Sequence, residues 1–127
     1  FLVKHLRIHW MEGEKHFKNC LVDYNEASNV AQWQWVAGCG ADAAPYFRIF
    51  NPILQGEKFD KEGLYVKKWV PEIKKVPEKF THKPWEMELK YQQAIKTIIG
   101  QDYPKPIVIH EKARASALEA FKTLKKK

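Results

Sequence analysis

The stretch Asp23-Tyr24-Asn25-Glu26-Ala27-Ser28-Asn29-Val30-Ala31-Gln32-Trp33-Gln34-Trp35 decides how the chain is read. A polar turn runs into a short apolar segment that reads as a helix. Asp23 is the expected cap, with Glu26 three residues on in a capping-box-like position. At about 3.6 residues per turn, Asn29 and Trp33 share one face. Trp33 and Trp35 are two apart and point to nearly opposite sides. One face thus offers an amide and an indole to a single buried object, while the other sends a second indole elsewhere. Aromatics at helical spacing commonly build a core. The amide says more, because a buried Asn29 needs hydrogen-bond partners.

Upstream, residues 1 to 9 read as the end of a helix, with Phe1, Leu2, Val3 and Leu6 apolar. Trp10, Phe17, Leu21 and Val22 carry one apolar stripe into the central motif, interrupted by Gly13. Trp10 by itself reads as a core indole. Downstream, Val30 to Ala37 continue the central helix, and Gly38-Cys39-Gly40 stops it. Ala41 to Pro45 form a tight bend. Tyr46-Phe47-Arg48-Ile49-Phe50 has strand propensity and ends at Asn51-Pro52. An arginine among aromatics wants a carboxylate, a phosphate or a ring face, and an internal ion pair is the expected partner for Arg48.

Gln55 to Asp60 reads as a polar loop. Asp60 then caps a helix from Lys61 to Val70, with Tyr65, Val66, Trp69 and Val70 inward. Residues 71 to 84 hold Pro71, Pro77 and Pro84 among lysines and read as a basic, extended connector. Pro84 opens a further helix-compatible segment reaching residue 99. Gly100 to Pro106 is a rigid loop. Glu111 to Leu124 is a helix with Ala113, Ala117, Leu118 and Phe121 inward, and the Lys125–Lys127 tail suits its C-terminus. The expected class is all-α with long irregular connectors.

The 127 residues suit one domain, and 45% hydrophobic with 13% aromatic residues are ample for a core. Lys and Arg total 22 against 15 Asp and Glu, a net charge of +7 that favours anionic partners such as nucleic acid or phosphate cofactors. Cys20 and Cys39 lack metal-ligand spacing and read as two buried thiols in a reducing, cytoplasmic compartment. No apolar run approaches ~18 residues, so no membrane span is expected. Phe1 opens the chain mid-pattern, as expected of a piece of something longer. No GxGxxG, P-loop, HExxH, paired CxxC or local Ser-His-Asp grouping is present. Ordinary hydrolytic or metal chemistry therefore has no visible equipment.

Several runs together resemble one family. NEASNVAQWQW over 25–35, GADAAPYFRIFNP over 40–52, QGEKFD over 55–60, Trp69-Val70-Pro71-Glu72 and YPKPIV over 103–108 resemble the class I DNA photolyases of the cryptochrome/photolyase family, as does the Phe1-Leu2-Val3-Lys4 opening with Trp10. The resemblance spans nearly the whole chain in order.

It implies a flavoenzyme that repairs cyclobutane pyrimidine dimers in DNA with light, through electron transfer from reduced FAD. The lesion is flipped from the duplex into a pocket above the flavin, and the basic charge meets phosphates. The resemblance further implies that Asn29 lies beside the flavin N5 and tunes its reduced states. Trp33 is then the indole nearest the flavin in the photoreduction chain, and Trp10 the next outward. Asp23, Tyr24 and Asn25 contact FAD, with Asn25 standing where the family pair has a second acid. Trp35 lines the lesion pocket, and Gln55 and Arg48 meet DNA. The chain is expected to be the C-terminal part of the FAD-binding domain of a monomer. The antenna domain with its chromophore, and the first half of the FAD domain, would lie outside it. The alternatives are a cryptochrome-like flavin photoreceptor, or a cofactor-free remnant with basic DNA-binding character.

Overall fold

The central stretch does form a helix, but its cap is Asn25 rather than Asp23. In the computed structural model, which describes residues 1–124, the Ser28 amide donates to Asn25 Oδ1 over 2.9 Å. Asn25 holds extended backbone (φ −129°, ψ 117°), so its oxygen reaches back over the first turn. An aspartate two residues earlier stands too far out along the chain to do this. The helix ends at Gly38, whose φ of 80° is left-handed backbone that an L side chain resists.

Six α-helices are formed among the described residues: α1 Trp10–Cys20, α2 Glu26–Ala37, α3 Pro52–Phe59, α4 Leu64–Trp69, α5 Leu89–Ile95 and α6 His110–Leu124. One-turn 3-10 helices occupy Pro71–Ile73, Glu78–Phe80 and Pro84–Glu86. These residues contain no strand, only a lone bridge between Ile99 and Tyr103, and no helix among them is long and apolar enough to cross a membrane. The all-α expectation holds. The Lys125–Lys127 tail lies outside the described residues. The chain divides into two compact units, Phe1–Ile49 with the chain from Val108 onward, and Phe50–Ile107.

In the first unit α1 packs on α2. Gly13 makes this contact close: a Cβ there would overlap the Trp33 ring. Phe17 meets the same indole edge-on, with ring centroids 5.1 Å apart. Residues 1 to 9 are not a helix end. They make one turn closed by the His5 amide donating to Phe1 O (2.9 Å), then leave helical space at Arg7, whose φ is 58°. The expected strand at 46–50 is irregular, since no neighbouring backbone edge pairs with it. Cys20 and Cys39 are exposed rather than buried. Ala117 is the buried residue of α6, with Ala113, Leu118 and Phe121 half-buried beside it.

In the second unit the expected extended connector supplies the core. Ile73 and Val76 are each 1% exposed and cluster with Met87, against Val66, Val70, Phe80, Ile95 and Tyr103. Prolines at 71 and 84 start one-turn helices that fold these side chains inward while Lys74 and Lys75 stay outside. The loop expected at 55–60 is helical as far as Phe59, because Asn51 Oδ1 caps α3 by accepting from the Ile53 amide (3.0 Å) and Pro52 takes its first turn. Asp60 caps as expected but from further away. Gly63 (φ 70°) delays α4 to Leu64, and the Asp60 carboxylate accepts from the amides of Tyr65 (3.1 Å) and Val66 (3.0 Å). The Val66 amide is the leading cause that holds this carboxyl below its usual range. Only Val66 and Val70 of the expected inner face turn inward. Tyr65 and Trp69 are exposed, since a six-residue helix buries one narrow edge. The helix expected over 86–99 shrinks to α5, stopped by Lys96 at φ 55°.

Candidate functional site

A cleft of about 620 Å³ opens in the first unit, bounded by α1, α2 and residues 1 to 3. Its volume lies within the range of ligand sites, and its walls combine apolar side chains with a few polar groups. Asp23, Asn25, Asn29, Gln32 and Trp33 all line it, with Phe17 and Val3. The structure thus gathers four of the residues singled out in the sequence on one cleft.

Asn29 is the buried polar member, 7% exposed. Its Nδ2 donates to the Glu14 carbonyl (3.1 Å) and to Glu14 Oε1 (3.2 Å). Those two bonds use both amide hydrogens, so the group left to face a ligand is the Oδ1 acceptor. Tyr24 lies off the cleft lining and donates its hydroxyl to the same Glu14 Oε1 over 3.3 Å. Its phenol is pushed above its usual range by burial first, then by the Glu26 and Glu14 charges, with Lys18 opposing.

Glu14 is therefore the residue that sequence reasoning missed. Its signal was present: a buried amide was expected to need partners, and α1 is the element that faces it. Gly13 was missed as well, having been read only as an interruption in a helix.

Asn25 divides its role, since Oδ1 is engaged by the cap and its amide nitrogen remains for a ligand. Asp23 is exposed at the cleft. Trp33 is held between Gly13 and Phe17 with its indole at the cleft wall. Trp10 is half-buried and lines a different cleft of about 430 Å³, with Lys4, Arg7, Ala117 and Phe121. Trp35 is half-buried and lines neither cleft, consistent with the opposite faces expected for the two indoles. The ion pair expected for Arg48 is not made: Arg48 is exposed, and no carboxylate pairs with it among the described residues. The Arg48 backbone carbonyl accepts from the buried Lys4 Nζ over 2.9 Å. Gln55 is exposed on α3, in the second unit. No group of three or more His, Cys, Asp or Glu suited to a metal ion occurs among the described residues.

The family described as the FAD binding domain of DNA photolyase matches residues 1–123. The chain is 56% identical over 126 residues to a deoxyribodipyrimidine photo-lyase of Agrobacterium fabrum, covering 99% of this chain and 26% of that protein. A bacterial class III photolyase from Agrobacterium tumefaciens superposes with a TM-score of 0.92 at 55% identity, over 100% of this chain and 26% of the other. A Synechocystis cryptochrome follows with 0.87 at 36% identity, over 94% and 24%. The chain thus spans about a quarter of the length of the curated relatives it matches.

Proposed function

Since this chain belongs to the family of the FAD-binding domain of DNA photolyase, we propose that its α1–α2 cleft holds the flavin of FAD and that the full-length protein repairs pyrimidine dimers in DNA with light. The observation that carries this reading is the state of Asn29. With both amide hydrogens committed to Glu14, its oxygen is an acceptor in a largely apolar cleft, suited to a ring N–H of a reduced flavin. Reduced FAD, when bound, supplies the electron that splits the dimer.

The chain's own residues bind and orient. Asp23 and the free amide of Asn25 offer polar contacts at the cleft mouth, and Tyr24 steadies Glu14 behind Asn29. Trp33, at the cleft wall, relays electrons toward the flavin, and Trp10 feeds it from the neighbouring cleft. Trp35 stacks against a flipped base. Arg48 and, separately, Gln55 contact DNA. The net charge of +7 supports phosphate binding.

In this proposal the chain is the C-terminal part of the FAD-binding domain, in a monomeric, cytoplasmic enzyme whose antenna domain lies elsewhere in the protein. The likeness expected to class I extends to class III, given the Agrobacterium tumefaciens structure. The cryptochrome likeness supports a second reading, a flavin photoreceptor without repair. The test is illumination of the full-length flavoprotein with dimer-containing oligonucleotides. Light-dependent loss of dimers supports the lyase. Flavin photochemistry without loss of dimers supports the photoreceptor, and failure to retain flavin leaves a cofactor-free remnant.

A further inference from the structure

We propose that Lys4 is a positioning residue for DNA recognition, whose buried ammonium fixes the backbone of the 45–48 loop and so aims the Arg48 guanidinium at a phosphate. This rests on the reading of Arg48 as a DNA contact. Lys4 is 8% exposed, and its Nζ donates to the Arg48 carbonyl over 2.9 Å and, more weakly, to the Pro45 carbonyl at 3.5 Å. The loop it grips has neither helix nor ladder. Its own bonds are short-range: the Arg48 amide donates to Pro45 O (2.9 Å) and the Ile49 amide to Phe47 O (3.0 Å). One bond ties it to α2, from the Ala44 amide to Trp35 O (2.9 Å). Backbone of this kind takes its position from such ties, and Lys4 supplies one at the very residue that carries the guanidinium.

The choice of partner matters as much as the bond. A lysine buried this deeply is ordinarily paired with an acid. Here its recorded acceptors are two backbone carbonyls, and no carboxylate pairs with Lys4 among the described residues. Its positive charge therefore stays uncancelled beside Arg48. Burial first, and the Arg48 charge second, push the Lys4 ammonium below its usual range. Mutual repulsion disfavours a guanidinium folded back on the loop, and Arg48 is exposed. Two cations converging on one short backbone segment make the field that a phosphate seeks.

The test is equilibrium binding of the full-length protein to a DNA duplex across a salt series. Arg48→Ala is expected to weaken binding and to lower the slope of log K against log salt by about 0.9. Lys4→Met is expected to lower that slope by a comparable amount, Lys4→Arg to restore it, and the Lys4→Met/Arg48→Ala double variant to be little weaker than Arg48→Ala alone. Wild-type affinity and slope in Lys4→Met would overturn the positioning role, as would losses that simply multiply in the double variant. Lys4→Leu, which likewise has no donor, takes the place of Lys4→Met if that variant does not fold, and wild-type binding in it overturns the proposal equally. An unchanged slope in Arg48→Ala is a separate failure, which removes the phosphate contact itself and the Lys4 role with it.

Discussion

Both amide hydrogens of Asn29 are directed at Glu14, one at its carbonyl (3.1 Å) and one at its carboxylate (3.2 Å). A single residue of α1 therefore sets which way the amide of α2 faces. An amide side chain can rotate by half a turn at little steric cost. What prevents it here is that a flipped Asn29 would point its oxygen at two acceptors. The orientation of the cleft's one buried amide is thus chemical rather than steric.

Removing the carboxylate should cost accordingly. Glu14→Ala strips one acceptor from Asn29 and the partner of the Tyr24 hydroxyl. Partly buried polar groups left without partners cost about 1–3 kcal/mol. Chemical denaturation should show a loss of that size, while Glu14→Gln, which keeps one acceptor oxygen, should lose less. Equal losses in the two variants would show that the carboxylate's bonds do not hold the amide.

Gly13→Ala should be destabilising although alanine is the better helix former. A Cβ at this site overlaps the Trp33 ring, so either α1 must move from α2 or the indole must leave its place against Phe17. Overpacking of this kind costs about 1–3 kcal/mol, which exceeds the roughly 0.8–1 kcal/mol gained in helix propensity. The near-ultraviolet circular dichroism of the indole should change with it. An equally or more stable variant with an unaltered spectrum would mean that the helices have room to spare.

The His5–His110 contact predicts an acid-sensitive first unit. His5 Nε2 and His110 Nδ1 stand 2.9 Å apart, and His5 Nδ1 is buried with no partner among the described residues. A partnerless acceptor costs less than a partnerless donor, so the proton belongs on Nε2, donating to His110. Burial first, with the His110 charge also contributing, pushes His5 below its usual value. With the folded pKa lowered, the unfolded chain binds the extra proton first. The His5 contribution to stability is therefore fully present above pH ~6.5, the unfolded value, and is lost as pH falls through the folded pKa. Denaturation midpoints measured from pH 8 down to 5 should fall, and more steeply than in His5→Gln. Parallel curves for the two proteins would remove His5 from the account.

The helix 26–37, its glycine stop and the shared face of Asn29 and Trp33 were legible because helical periodicity is local and strong. The capping residue was not, since Asp23 and Asn25 are both good caps and only backbone geometry chooses between them. The 71–84 segment misled for a related reason. Its lysines and prolines suggest a solvated connector, yet it carries Ile73, Val76 and Phe80, and its one-turn helices and the turns between them bury the first two and half-bury the third. Glu14 and Lys4 escaped notice because their partners lie 15 and more than 40 residues away, and such pairings leave no periodic trace.

Trp33→Phe separates the relay from the repair. Trp33 sits at the cleft wall, and a phenyl ring fills most of its place but gives up an electron far less readily than an indole. In the full-length flavoprotein, photoreduction of oxidised flavin should slow severely, while repair by flavin already reduced chemically should persist. Unchanged photoreduction would return Trp33 to the role of a packing residue held by Gly13 and Phe17.

Trp35→Ala tests the opposite face of the same helix. Trp35 is half-buried, lines neither cleft, and anchors the 44–48 loop through its backbone carbonyl, which accepts from the Ala44 amide at 2.9 Å. Its side chain can therefore be truncated without breaking that tie. If the indole stacks on a flipped base, its loss should weaken binding to dimer-containing duplex by about 1–3 kcal/mol. Undamaged duplex, which flips no base, should lose much less, and both should keep the same salt slope because no phosphate contact is touched. Equal weakening on both duplexes would mean that the indole supports the fold rather than the lesion. The salt slope distinguishes this variant from Arg48→Ala, so the two faces of the DNA contact can be assigned separately.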